Sequence, residues 1–326
     1  MNPAMHDEIA ATATAVAQLP AASPNWQQDE RIRFIGCGSS YFLGLTLAAT
    51  LRAHGFNAAA YPAAEVLLHP PHDPWAGARV IAISRSGTTS ETVAALKHTR
   101  DQGAESFAVT VADASPLAEA AERSISIASA AETSVVQTRS VVAAGSWLLA
   151  SLLGPQADLD AWQAHLDAHV DASQAYAHTL PTDIERVFLL GTGPLWGVAQ
   201  EGALKLKESA LIEAEGFEAF EFRHGPRSRV DDRTLVIGLL QPTTDTLERR
   251  ILDESRNLGA QVASIGPTGV APAGLSFQYA KAVPAAFAGL APMTALQTYA
   301  LRMAQARGLN PDEPRNLSFA VEIDLT

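Results

Sequence analysis

The chain repeats itself, and the repeat confines it to a short menu of folds. Arg31 to Gly38 (RIRFIGCG) and Arg186 to Gly193 (RVFLLGTG) are each a short β-rich apolar run ending in Gly-x-Gly ahead of a helical segment. Second apolar runs follow, Ala78 to Ser84 (ARVIAIS) and Arg233 to Leu240 (RTLVIGLL), each leading through a Thr-rich turn into a helical pattern. Third runs come after a glycine, Ser106 to Val111 (SFAVTV) and Gln261 to Ile265 (QVASI). Continuous apolar strands that alternate with helices imply parallel sheets covered on both faces and joined by right-handed crossovers. The expectation is an α/β chain of two tandem units, each a doubly wound parallel sheet flanked by helices in three αβα layers.

Around these units the sequence divides simply. Met5 to Leu19 reads as an Ala-rich helix closed by Pro20, and with the link after it occupies 1–27. The first unit spans 28–153. A connecting helix, with Leu159, Trp162, Leu166 and Val170 on one stripe, fills 154–180, and the second unit takes 181–326.

A formal net charge of −12 over 326 residues argues against a nucleic-acid partner, which needs Lys and Arg in excess. A small anion is still admissible, because surface charge is screened beyond roughly 8 Å in physiological salt and local donors then decide. The lone cysteine, Cys37, cannot form an internal disulfide, and no Cys/His cluster has zinc-site spacing, so a reducing compartment and no metal are expected. The N-terminus carries Asp7 and Glu8 rather than a basic and apolar leader, and no run approaches the length of a membrane helix. A cytoplasmic location without a membrane partner is the default.

In open α/β sheets ligands bind beyond the carboxyl ends of the strands. The loop Gly36-Cys37-Gly38-Ser39-Ser40-Tyr41, taken alone, reads first as a tight turn capped by Ser39 or Ser40. The second loop is more telling: Ser84, Arg85, Ser86, Gly87, Thr88, Thr89 and Ser90 lie between an apolar strand and a helix. A capping box with Glu91 would use one hydroxyl and leave the others unexplained. Several hydroxyls, backbone amides and a helix N-terminus of about +0.5 charge together suit a dianionic phosphate. No Gly-Lys-Ser/Thr follows, which excludes a P-loop. The equivalent turn of the second half, Gln241-Pro242-Thr243-Thr244-Asp245, loses a donor to Pro and gains a negative charge from Asp245, so phosphate is expected in the first half only.

In the second half, a helix read from Trp196 to Glu215 carries Glu201, Lys205 and Glu208 on one face, with Trp196, Ala199, Ala203, Leu206 and Ala210 on the other. Periodicity alone favours a solvated ladder of ion pairs for the charged face. Downstream, His224 precedes a Gly-Pro pair and so sits on an irregular loop.

Taken together, these segments resemble the sugar isomerase (SIS) domain family, and within it the isomerase half of glucosamine-6-phosphate synthases and the related SIS-type deaminases. The stretches that carry the resemblance are Gly36 to Tyr41, Ile83 to Thr89, Ser134 to Arg139 (SVVQTR), Glu201 to Glu208 (EGALKLKE), His224-Gly225-Pro226 and Pro314 to Leu317 (PRNL). They run in family order over nearly the whole chain. The resemblance implies that Ser39, Ser40, Ser84, Ser86 and Thr89 hold a sugar 6-phosphate, with Cys37, Gly38, Arg85 and Val135 lining the sugar and Ser318 added from the C-terminal tail. It implies that Glu208 moves a proton between C1 and C2, that Lys205 supports it, and that His224 opens the sugar ring from the partner subunit of a homodimer. No cofactor is implied.

Two departures redirect the expectation. These residues include no stretch like the glutamine-hydrolysing domain of the synthases, so glutamine-dependent synthesis is not expected of them, and the lysine of the synthases' C-terminal Pro-Arg-Asn-Leu-Ala-Lys is replaced, since Leu317 is followed by Ser318 and Phe319. Arg139 also stands where the family has Lys. An imine-forming amine is dispensable when the substrate already carries nitrogen, which points to glucosamine-6-phosphate yielding fructose-6-phosphate and ammonia. The alternatives are a fructosamine-6-phosphate deglycase, an isomerase that keeps the amine and, in another class, a sugar-phosphate sensor without turnover.

Overall fold

The computed structural model describes residues 3–21, 30–70, 75–271 and 274–323. The first half begins with helices α1 (Ala4–Ala10) and α2 (Thr12–Ala17), then runs β1 (Arg31–Gly36), α3 (Ser39–Ala53), β2 (Asn57–Pro62), α4 (Ala63–Leu68), β3 (Ala78–Ile83), α5 (Ser90–Asp101), β4 (Glu105–Thr110), α6 (Pro116–Ala120), β5 (Arg123–Ser126) and α7 (Arg139–Leu153). After α8 (Leu159–Ala177), the second half runs β6 (Arg186–Gly191), α9 (Pro194–Ala210), β7 (Glu213–Glu218), β8 (Thr234–Leu239), α10 (Asp245–Asn257), β9 (Gln261–Pro267), β10 (Ser276–Tyr279) and α11 (Met293–Ala306). The strands form two sheets, ordered β2-β1-β3-β4-β5 and β10-β9-β8-β6-β7, with every pairing parallel. Read from the other edge, the second order is the first again, so the duplication in sequence is a duplication in topology.

The strands alternate their side chains between two helical layers, as parallel strands buried on both faces must. Phe34, Ile81 and Val109 of the first sheet, with Leu189, Ile237 and Ile265 of the second, belong to one continuous core that includes α3, α7, α9 and α11. The opposite faces carry separate clusters, Val80 and Ala82 against α5 and Phe188 and Val236 against α10. The two halves therefore share their largest core. The stretch Arg139–Ala157 is long and apolar enough to cross a membrane, contrary to the sequence reading, but α7 within it is buried from Ser140 to Leu153 and serves as a core helix.

Helices α3 and α9 start alike. Each follows a glycine, Gly38 (φ 53°, ψ −126°) and Gly193 (φ 53°, ψ −124°), in a conformation that L side chains rarely adopt. The two helices then approach so closely that a Cβ at Gly197 would lie 2.4 Å from Thr46 Oγ1 and 2.6 Å from Phe42 O. This contact brings the charged face of α9 to the first half's loops.

Three expectations need correction. The N-terminal helix is two helices broken at Ala11, whose φ of −83° and ψ of 7° end the first. Helix α9 stops at Ala210 rather than at Glu215, because Leu211 turns left-handed (φ 50°) and Glu213 pairs with Arg186 as the start of β7. Asp245 is not the charge that disables the second half's turn, since it pairs with Arg249 one helical turn on.

Candidate functional site

Strand β3 ends at Ile83 and α5 begins at Ser90, with Thr89 as its N-cap residue making no side-chain cap bond. The hydroxyls of this loop instead meet one another. Ser84 Oγ lies 3.3 Å from Thr89 Oγ1 and accepts from Gly87 N, while Ser86 Oγ accepts from the amide and the hydroxyl of Thr88. Gly87 is required here, because its φ is 69° and a Cβ would sit 2.2 Å from Ser115 Oγ. The result is a tight turn whose hydroxyls are not consumed by helix capping, which is what an anion cradle needs.

Arg85 points the other way, inward. Its guanidinium donates to the carbonyls of Ser134 (3.0 Å), Val135 (2.8 Å) and Phe319 (3.1 Å), and lies 3.3 Å from the Glu132 carboxylate. The Phe319 ring stacks on it, 3.9 Å from Cζ to the ring centroid. Burial lowers the Arg85 pKa against the opposing pull of Glu132. Glu132 is itself buried and fully used: it accepts from the amides of Thr138 and Ser140 and from both their hydroxyls. It thus fixes the N-terminus of α7 and the Ser134–Thr138 segment at once. Glu8 on α1 accepts from the amides of Thr133 and Ser134, tying the N-terminal helix to the same segment.

The second half contributes α9. Lys205 Nζ lies 2.6 Å from Glu208 Oε2 and 3.4 Å from Glu201 Oε1, and donates to Ser39 Oγ at 3.1 Å. Lys205 and Glu201 side chains are 1% and 2% exposed, so this face is not the solvated ladder that periodicity favoured; Trp196, assigned to the buried stripe, is 37% exposed instead. Burial pushes the Glu201 carboxyl up to about 7, the Lys205 charge partly countering it. Burial alone would lower the Lys205 pKa, but Glu201 and Glu208 more than offset it and hold the amine above the ordinary lysine value. Glu208, 20% exposed, is the member of the trio that a ligand can reach.

The remaining sequence candidates are dispersed. Ser39 and Ser40 are buried at the start of α3 and Gly38 is exposed just before it. Cys37 is half-buried, 3.6 Å from Thr92 Oγ1, with its thiol pKa raised by burial. Val135 is half-buried and its amide donates to Asp312 O. Ser318 is exposed and donates its hydroxyl to Ala320 O, while the tail beyond it reaches the start of α5, where Ser90 N donates to Val321 O and Ser90 Oγ accepts from Ile323 N. His224 is exposed on its loop and, among the described residues, has no side-chain bond. Glu132 was missed from the sequence, where nothing distinguishes it from a surface carboxylate.

Among the described residues the second half shows no open cradle. Glu248 on α10 is buried, and its carboxylate accepts from Thr192 Oγ1 (2.7 Å) and from the amide of Gln241 (3.4 Å). A carboxylate from the chain itself occupies the place an anion would take. Burial raises its pKa, opposed by the hydroxyls of Thr192 and Thr244.

Comparison with known proteins agrees with this duplicated plan. The SIS domain model matches residues 26–153 and again 182–302. A glutamine–fructose-6-phosphate aminotransferase [isomerizing] of Zymomonas mobilis is 27% identical over 329 residues, covering 94% of this chain and 54% of its own length. That of Corynebacterium efficiens is 31% identical over 270 residues, 75% of this chain and 43% of its own. The chain spans about half the length of the curated relatives it matches. Among solved structures, a glucosamine-6-phosphate deaminase from Thermotoga maritima superposes with a TM-score of 0.80 at 24% identity, over 98% of both chains. A tagatose-6-phosphate ketose/aldose isomerase from Escherichia coli gives 0.77 at 23%, over 95% of this chain and 94% of its own. At those identities the likeness is one of fold. The two matches of the family model cover most of the chain, which belongs to the SIS domain family as a tandem pair of SIS domains.

Proposed function

We propose that the chain is an amino-sugar-phosphate deaminase of the isomerase type, converting glucosamine-6-phosphate to fructose-6-phosphate and ammonia. The observation that carries this reading is the juxtaposition at Ser39: the α9 ammonium that steadies Glu208 also donates to the hydroxyl that opens α3, and Glu208 lies close enough to Arg85 of the hydroxyl loop to act on its charge, which supports a carboxylate and a hydroxyl cradle serving one ligand. The cradle takes the 6-phosphate and leaves C1 and C2 beside Glu208. Its carboxylate removes the C2 proton to give an enolamine and returns a proton to C1. The resulting C2 ketose imine adds water and releases ammonia. A positioned general base contributes about 10²–10⁴-fold, and orientation by the phosphate grip adds to it. His224, exposed and unengaged, opens the ring from a second copy of the chain in a homodimer.

Phe319 bears on which sugar is used. Where the synthases carry an imine-forming lysine, this chain lays an aromatic ring on Arg85, which supports a substrate that brings its own nitrogen. A panel of glucosamine-6-phosphate, fructosamine-6-phosphate adducts and aldose 6-phosphates, assayed for ammonia and for ketose phosphate, tests the reading. Both products are expected from the first compound in equal amounts. Conversion of glucosamine-6-phosphate to an isomeric amino-sugar phosphate without ammonia selects an amine-retaining isomerase, a free amino acid from the adducts selects a deglycase, and binding without product selects a sensor.

The cradle has its own test. Ser86→Ala combined with Thr89→Ala is expected to weaken fructose-6-phosphate binding by roughly ten- to a hundredfold in calorimetry. The unfolding midpoint should move little, since these half-buried hydroxyls bond only within the loop. Unchanged affinity would rule the loop out as the phosphate site.

A further inference from the structure

The duplication that built one site built the frame of a second. Helices α3 and α9 begin at equivalent residues, Ser39 and Pro194, so each position on α3 has a counterpart 155 residues on. By that register Lys205 corresponds to Thr50 and Glu208 to Ala53. Both of these α3 residues line a cavity of about 650 Å³ at the carboxyl edge of the second sheet. Its other walls are the segments that follow β6, β8, β9 and β10: Leu195, Pro242, Pro267, Val270, Val283 and Ala288 among them. The cavity is therefore the pseudo-symmetric counterpart of the Glu208 site, with the acid–base pair deleted. The Thr50 hydroxyl is spent on the carbonyl of Thr46, and Ala53 has no polar atom to offer.

We infer that this second cavity is a non-catalytic binding site for a small organic monoanion with an apolar body. Its size falls within the range of small-molecule sites. A phosphosugar does not suit it, because Glu248 already takes the Gln241 amide and the Thr192 hydroxyl that would have met a phosphate. The walls named above are apolar; His54, Gln241 and Thr268 also border the cavity, and no Asp or Glu does among the described residues. The cationic group is Lys281, exposed at the cavity and without a carboxylate partner among the described residues; a Cβ built on Gly269 would lie 3.8 Å from its Nζ. One ammonium over apolar walls selects one negative charge on an apolar frame. The shared helix pair links this cavity to the catalytic one, since Thr50 and Lys205 lie on the two helices that meet at Gly197.

The probe is 8-anilinonaphthalene-1-sulfonate, an aromatic monoanion whose fluorescence rises in apolar surroundings, titrated into the full chain with and without saturating fructose-6-phosphate. Saturable binding that survives fructose-6-phosphate is expected, weakened roughly tenfold or more by Lys281→Ala, which removes the charge, and by Ala53→Trp, which fills the cavity from an exposed helix position. Turnover of glucosamine-6-phosphate should be unaltered in Lys281→Ala. No saturable binding, displacement by fructose-6-phosphate, or equal affinity in both variants overturns the proposal.

Discussion

Replacing Glu208 by Gln is expected to lower kcat for glucosamine-6-phosphate by about 10²–10⁴-fold while the affinity for fructose-6-phosphate changes by less than about threefold. The amide keeps the size of the carboxylate and its place beside Lys205, so the cradle is undisturbed. What it loses is the ability to take a proton. No other carboxylate on α9 can substitute, because Glu201 is 2% exposed and lies on the far side of the Lys205 ammonium. Steady-state kinetics and calorimetry on the same preparation separate the two effects. Retained turnover would mean that the proton is moved by a group outside α9.

The second large effect concerns stability. Lys205→Met is expected to destabilise the chain by about 3–5 kcal/mol at pH 8, as breaking a buried ion pair does when the partner's charge is left behind. The pH dependence identifies the cause. Glu201 has its folded pKa raised to about 7, so its contribution to stability is fully present below its unfolded value and is lost as pH rises through 7. Lys205 has its own pKa raised, so the attraction it supplies persists at neutral pH and disappears only in the alkaline range. Without the ammonium, Glu201 is protonated at pH 5 and the cost of the substitution shrinks there. Urea unfolding of both proteins at pH 5 and pH 8 measures the difference. An equal loss at both pH values would assign the effect to packing of the lysine stem rather than to charge.

Much of this was legible in the sequence, for identifiable reasons. Strands β1, β3, β4, β6, β8 and β9 stand out because a strand buried on both faces must be apolar throughout. The other four strands were not seen, since NAAAYP, RSIS, EAEGFE and SFQY are short or polar runs on or near sheet edges. The turn at Leu211 was hidden as well, because a leucine gives no hint of a left-handed conformation. The hydroxyl loop at Ser84 was legible because its composition exceeds what a helix cap uses.

The α9 trio shows where such reading stops. Spacing of four and three places Glu201, Lys205 and Glu208 on one face but does not say whether water or protein covers it. Burial there is decided by α3, through an approach at Gly197 that depends on the pairing of two halves 155 residues apart. Glu132 and Glu248 were invisible for the same reason: each is a carboxylate whose meaning comes from amides that the fold brings to it.

The most direct test of a first-half cradle served by a second-half carboxylate is a crystal structure of the E208Q protein with glucosamine-6-phosphate. The phosphate is expected within hydrogen-bond distance of Ser84, Ser86 and Thr89, with C2 beside the residue 208 amide and His224 of a second copy at the sugar ring. A phosphate bound elsewhere, or a sugar whose C2 lies beyond contact of residue 208, would contradict it.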